Sequence, residues 1–210
     1  MYGQLLTYSL YFFAFVSIAN CFKIGSVYAK NRNRLSIIMI LTFIVAAFLG
    51  MFSPFAATNH DKYYIGVSIS VLFYVAGLCA IIFYILDIKQ LAAIPLLVAI
   101  LIFLQVFIGT DNYFRNSQIF DYTMGLVPII GFFYLASKNK DGKSFGMAIH
   151  FILVIPAGIL TEYNELTSAI FYFGSALMSG LSIFGAFEGI FKKEKKKVSW
   201  IEKKLTEKVK

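Results

Sequence analysis

Residues 35–54 read LSIIMILTFIVAAFLGMFSP, twenty positions without one ionisable side chain. A helix needs about 20 mainly apolar residues to cross the hydrocarbon core of a bilayer, and this stretch meets that requirement alone. Its apolar residues are continuous, whereas a barrel strand alternates with period two over about ten residues. Inside lipid, a single segment satisfies its own backbone N–H and C=O groups only as a helix. The segment reads as a spanning helix.

Working outward, six further runs have the same character: 4–28, 64–86, 91–108, 122–137, 146–161 and 166–190. The connections are short. The longest, Gly109–Asp121 (GTDNYFRNSQIFD), reads as a polar, aromatic external loop that lies along the headgroups or caps the bundle. Composition agrees: 59% of residues are hydrophobic and 14% charged, against about 25% charged in a soluble domain. A water-soluble domain, a disordered chain and a disulfide-built module are excluded. The opening MYGQLLTYSLYFF lacks the basic n-region and small-residue cleavage site of a signal peptide, so the first helix is expected to be retained. Cys21 and Cys79 fall inside helices and read as small buried hydrophobes.

Charge sets the expected orientation. With seven spans, all but two of the 19 basic residues fall on one side, and only Lys62 and Arg115 on the other. Basic residues close to span ends stay cytoplasmic. The expected fold is thus an all-α integral membrane protein, a seven-helix bundle over 1–191 with its N-terminus outside and C-terminus in the cytoplasm, in the plasma membrane. Residues 192–210 form a separate basic tail. In it Val198, Ile201, Leu205 and Val209 recur at helical spacing, and Ser199 with Glu202 makes a capping-box pattern. A short amphipathic helix on anionic lipid headgroups is expected there, with about 1 kcal/mol per basic residue near the surface. The high pI belongs to membrane topology, so nucleic acid is not an expected partner.

Polar residues within spans are costly and are the first functional candidates. Asn20, Lys23, Asp87, His150 and Glu188 read as a belt near the cytoplasmic side, with Gln105 alone near the outer end of the fourth helix. The belt is either an inward vestibule, with Lys23 paired to Asp87 or Glu188, or a set of snorkelling and helix-bonding side chains. The second reading is preferred. No acidic residue is expected near the middle of a span. Pro128, flanked by Gly125 and Gly131, and Pro156, followed by Gly158, are candidate kinks beside a pathway. Ser175, Ser179, Ser182, Ala186 and Gly189 form a small-residue face on the seventh helix, and Ala46 with Gly50 a shorter pair on the second.

Several chemistries fail on their residues. A retinal protein needs a lysine midway along its last helix, and none lies between Thr167 and Phe191. The chain has no Pro-Gln dipeptide of the sugar carriers that share this helix plan. His60 and His150 fall on opposite sides and cannot share a zinc or flank a haem. Ser175 is expected nearer the outside than His150, which leaves no serine–histidine pair for hydrolysis. The sequence therefore points to a non-catalytic protein without cofactor or metal. Its expected role is an accessory or assembly subunit, with membrane proteins or further copies of itself as partners. The alternative is a small uniporter or channel for a neutral or amphiphilic solute beside the fifth and sixth helices.

Overall fold

Every apolar run is an α-helix in the computed structural model, which describes residues 3–58, 60–161 and 163–190. The helices are α1 (Gln4–Asn31), α2 (Arg34–Thr58), α3 (His60–Ile85), α4 (Ala93–Leu104), α5 (Thr110–Asn139), α6 (Gly142–Leu160) and α7 (Glu165–Phe184). Short 3-10 turns follow α4 at Gln105–Phe107 and α7 at Ala186–Gly189. No strand occurs among the described residues. Six of these helices are long and apolar enough to cross a membrane; α4 with its 3-10 turn, Ala93–Phe107, is shorter. The basic tail at 192–210, with its expected amphipathic helix, lies outside the described residues.

Several boundaries differ from the sequence reading by about a turn, and three of the differences bear on the site. From Thr110 on, the expected loop Gly109–Asp121 is the first two-fifths of α5, whose 30 residues extend about 45 Å at 1.5 Å per residue. Its inner stripe, Tyr113, Ser117 and Phe120, is buried at helical spacing against α3, so packing makes this polar stretch helical. Helix α6 starts at Gly142 and not at 146, because Asp141 caps it by accepting from the Lys143 amide. Helix α7 stops at Phe184 and not at 190, because Gly185 turns the chain with φ 85°, a left-handed conformation glycine adopts freely.

Neighbouring contacts give the helix directions. Leu10 and Ala14 lie beside Gly50, and Cys21 beside Ile40, so α1 and α2 are antiparallel. Gly125 meets Ile155 and Phe132 meets Phe151 across the antiparallel pair α5 and α6. Gly146 lies by Ser182 and Ala157 by Ser168 across α6 and α7. Gly3 meets Glu165, Phe12 stacks on Phe173, and Asn20 reaches Ser179, so α1 and α7 run side by side in one direction. Ser68 meets Tyr113 and Cys79 meets Met124 between parallel α3 and α5. The termini of these helices then collect Lys30, Arg32, Arg34, Lys89, Lys138, Lys140 and Lys143 at one end of the bundle.

The main core joins Phe13 of α1, Phe43 of α2, Leu78 and Ile82 of α3, Leu135 of α5, Phe151 of α6 and Ile183 of α7. A second cluster packs α4 onto α3 and α5 through Ala99, Ile102, Leu72, Val75 and Phe120. In lipid, helices gain little from burying apolar surface, and close approach through small residues matters more. The pair Ala46 and Gly50 provides it: a Cβ on Gly50 would stand 2.6 Å from the Leu10 carbonyl oxygen. On α6, Gly142 and Gly146 do the same under Phe187.

Candidate functional site

Most buried hydroxyls are satisfied locally and mark no site. Ser9, Ser17, Thr42 and Ser53 each donate to the carbonyl four residues earlier in their own helix, the usual solution for such residues in apolar surroundings.

His150 is different. It is 1% exposed and eight residues into α6, near the middle of the helix. Both ring nitrogens are engaged by other helices. Nε2 lies 2.8 Å from the Tyr74 hydroxyl of α3. Nδ1 lies 2.9 Å from the Ser175 carbonyl oxygen and 2.7 Å from Ser175 Oγ, both on α7. A hydrogen on Nδ1 donates to the Ser175 carbonyl while Nε2 accepts from the Tyr74 O–H; a hydrogen on Nε2 donates to the Tyr74 oxygen while Nδ1 accepts from the Ser175 O–H, so either tautomer satisfies both nitrogens. The ring of Phe13 on α1 stacks at 6.1 Å, and Phe151 packs edge-on at 4.6 Å. One imidazole therefore ties α3 to α6 and α7, while α1 covers it.

This corrects the expected separation of Ser175 and His150. They are in contact, because α6 begins one turn earlier than its apolar run and carries His150 deeper. The pair is held inside the helix seam, with Nδ1 on Ser175 and Nε2 on Tyr74.

Above and below the histidine, the α7 seam stays polar. Ser179 accepts from Asn20 Nδ2 at 3.4 Å, and Ser182 donates to the Lys143 carbonyl. Ser168 donates to the Ala157 carbonyl and lies 3.0 Å from the Thr161 hydroxyl. The small-residue face is thus interior at Ser175, Ser179 and Ser182. Ala186 and Gly189 do not belong to it: both lie in the 3-10 turn beyond Gly185 and are exposed.

The expected polar belt separates into unrelated contacts. Lys23 pairs with neither Asp87 nor Glu188; its ammonium lies 5.8 Å above the Phe184 ring. Asp87, in a left-handed turn with φ 63° after α3, meets Lys89 at 3.8 Å in solvent. Glu188 pairs at 3.1 Å with Lys143, whose buried side chain the sequence reading assigned only to topology. Gln105 is not alone: its Oε1 accepts from Asn116 Nδ2 at 2.8 Å.

The prolines lie inside α5 and α6 as expected. Pro128 has no N–H for the Met124 carbonyl, and Cys79 of α3 supplies the missing donor through its thiol at 3.3 Å. That carbonyl is closed by a neighbour and does not open to a cavity.

The sequence reading missed Tyr74, which has no signal beyond its hydroxyl in an apolar run, and Asp121. Asp121 is the twelfth residue of α5, inside the helix and not in a loop. Its Oδ2 accepts from Ser117 at 3.4 Å, while Oδ1 is buried with no hydrogen-bond partner among the described residues. The buried Oδ1 of Asn20 is likewise unpartnered. Comparison of the chain with family models, with curated proteins and with solved structures returned no match.

Proposed function

We propose that this protein is a seven-span membrane protein, N-terminus outside and C-terminus in the cytoplasm, that acts without catalysis as an accessory or assembly subunit of a membrane complex. The observation that carries this reading is the His150 clasp: both nitrogens of the one central imidazole are engaged in bonds between helices. Polar groups used to hold helices together leave the outer surface as the working part. The clustering of basic residues at one end supports the orientation, by the rule that Lys and Arg near span ends remain cytoplasmic.

Native mass spectrometry of the protein released gently from its own membrane tests the role. Companions of other masses in fixed ratio are expected. A mass of 23.6 kDa alone, or a simple multiple of it, refutes the subunit reading. For the threading, single cysteines at Asn112 and Lys140 are labelled in intact cells with a membrane-impermeant maleimide. Label at 112 and none at 140 is expected, and the reverse pattern overturns the orientation.

The unpartnered carboxylate oxygen of Asp121, seven residues before Pro128, favours a second reading as a small uniporter or channel. Ionisable residues inside spans mark pathways by default. Unchanged flux in a Pro128→Ala, Pro156→Ala variant would exclude a route that depends on those bends.

A further inference from the structure

Three buried side-chain oxygens have no hydrogen-bond partner among the described residues: Asn20 Oδ1, Ser36 Oγ and Asp121 Oδ1. Only the last belongs to an ionisable group. Asp121 lies on α5 one turn beyond Ser117, which donates to its other oxygen at 3.4 Å. No ion pair among the described residues involves it. The ionisable groups of the elements packed on α5 are engaged elsewhere. Helix α4 carries none. On α6, His150 is held by Tyr74 and Ser175, and Lys143 pairs with Glu188. On α3 from Ile65 onward, Tyr74 holds that histidine, the Cys79 thiol bonds the Met124 carbonyl, and Tyr84 lies under Lys89. Asp111 and Arg115, the charged residues before Asp121 on α5 itself, are exposed.

What occupies such an oxygen follows from charge. A carboxylate taken out of water without a counter-charge is costly, and in practice it binds a proton instead. A divalent cation takes at least about six oxygen ligands, whereas one carboxyl and one hydroxyl stand here. The surroundings also give the proton a direction. Toward the end of the bundle opposite the basic cluster, the α5 stripe is hydroxylic. Ser117 stands one turn away and Tyr113 two turns away, and Tyr113 donates to Ser68 Oγ at 3.1 Å. Both are buried. A hydroxyl both donates and accepts, which suits it to passing a proton along. Toward the basic end, the following turns of α5 are closed. The Met124 carbonyl is taken by Cys79, Ile155 lies against Gly125, and Ile82 lies against Gly131.

We propose that Asp121 is a proton-binding site that loads and empties along the Tyr113–Ser117 stripe, from the end of the bundle opposite the basic cluster. The site does not depend on the subunit reading above, and its test is separate from the mass measurement that decides that reading.

The full chain in sealed vesicles of one orientation, with pH set separately on the two sides, is followed by infrared difference spectroscopy. A carboxyl carbonyl band is expected that comes and goes with pH in the wild type and is missing in the near-isosteric Asp121→Asn. Dicyclohexylcarbodiimide, an apolar reagent for protonated carboxyls, reads the same proton. The carboxyl oxygen bonds its central carbon, the proton passes to its nitrogen, and rearrangement leaves an acylurea that peptide mass spectrometry locates. Once the carboxyl ionises, label on Asp121 is expected to fall about tenfold for each further unit of pH on the Thr110 side. It should ignore pH on the Lys140 side. After a jump to alkaline pH, the band is expected to decay several-fold more slowly in Tyr113→Phe with Ser117→Ala. Absence of a band that depends on Asp121 overturns the proposal. So does label that follows pH on the Lys140 side, or decay in the double variant as fast as in the wild type.

Discussion

Breaking the Tyr74–His150 bond gives the sharpest test of how this bundle is held. Hydrogen bonds between helices in membrane proteins average about 0.6 kcal/mol and reach about 1.7. This one joins two residues each at most 4% exposed, at 2.8 Å, and belongs near the upper value. Tyr74→Phe keeps the ring and its packing and removes only the oxygen, so it is expected to cost about 1.5 kcal/mol. His150→Leu removes the links to both α3 and α7, for about 3 kcal/mol if each is near that limit. The double variant cannot lose the shared bond twice. Its cost is therefore expected to fall short of the sum by about 1.5 kcal/mol, well beyond the roughly 0.3–0.5 within which independent sites add. Unfolding in mixed micelles against a rising detergent fraction, followed by circular dichroism, measures all three. Ser70→Ala replaces His150→Leu in the control cycle, because Ser70 bonds only its own helix at the Gly66 carbonyl, and it should add. Additivity of Tyr74→Phe with His150→Leu would refute the clasp.

Three further outcomes are expected. Gly50→Ala places a Cβ against the α1 backbone and should destabilise by about 1–3 kcal/mol through overpacking, while Gly66→Ala, which meets nothing within 4 Å, should be neutral in the same unfolding assay. Cys79→Ala should cost stability in the wild type but little beside Pro128→Ala, whose restored N–H takes the Met124 carbonyl; equal costs in both backgrounds would deny the thiol its part. Glu188→Gln should speed hydrogen exchange across Ala186–Gly189, because the Lys143 pair that pins this turn is lost, at about 1 kcal/mol for a half-solvated pair.

Seven helices were legible because each carries a run of about 16–25 mainly apolar residues, and hydropathy reports that directly. The start of α5 was not. Hydropathy saw only the polarity of GTDNYFRNSQIFD, although Tyr113, Ser117 and Phe120 already lay at the spacing of one helix face. The depth of His150 was lost the same way. Counting from the apolar run set it at a cytoplasmic edge, whereas Asp141, a good N-cap ahead of Gly142, marked the true start. Ala186 and Gly189 continued the spacing of the serines, but Gly185 had ended the helix between them. The Asn20–Ser179 and Tyr74–His150 contacts join residues more than 70 positions apart, and no local pattern in one chain encodes such a pairing.

The side-by-side placement of the first and last helices has a consequence for how the protein is made. Asn20 meets Ser179, and the Gly3 amide meets Glu165 across 162 positions of sequence. At about 5–20 residues per second of synthesis, α1 waits roughly 8–30 s in the membrane before α7 emerges. Through that interval the carboxamide of Asn20 has no α7 hydroxyl to meet. The ring of helices closes only after α7 emerges, and until then α1 presents to the insertion machinery a polar edge that the finished bundle conceals.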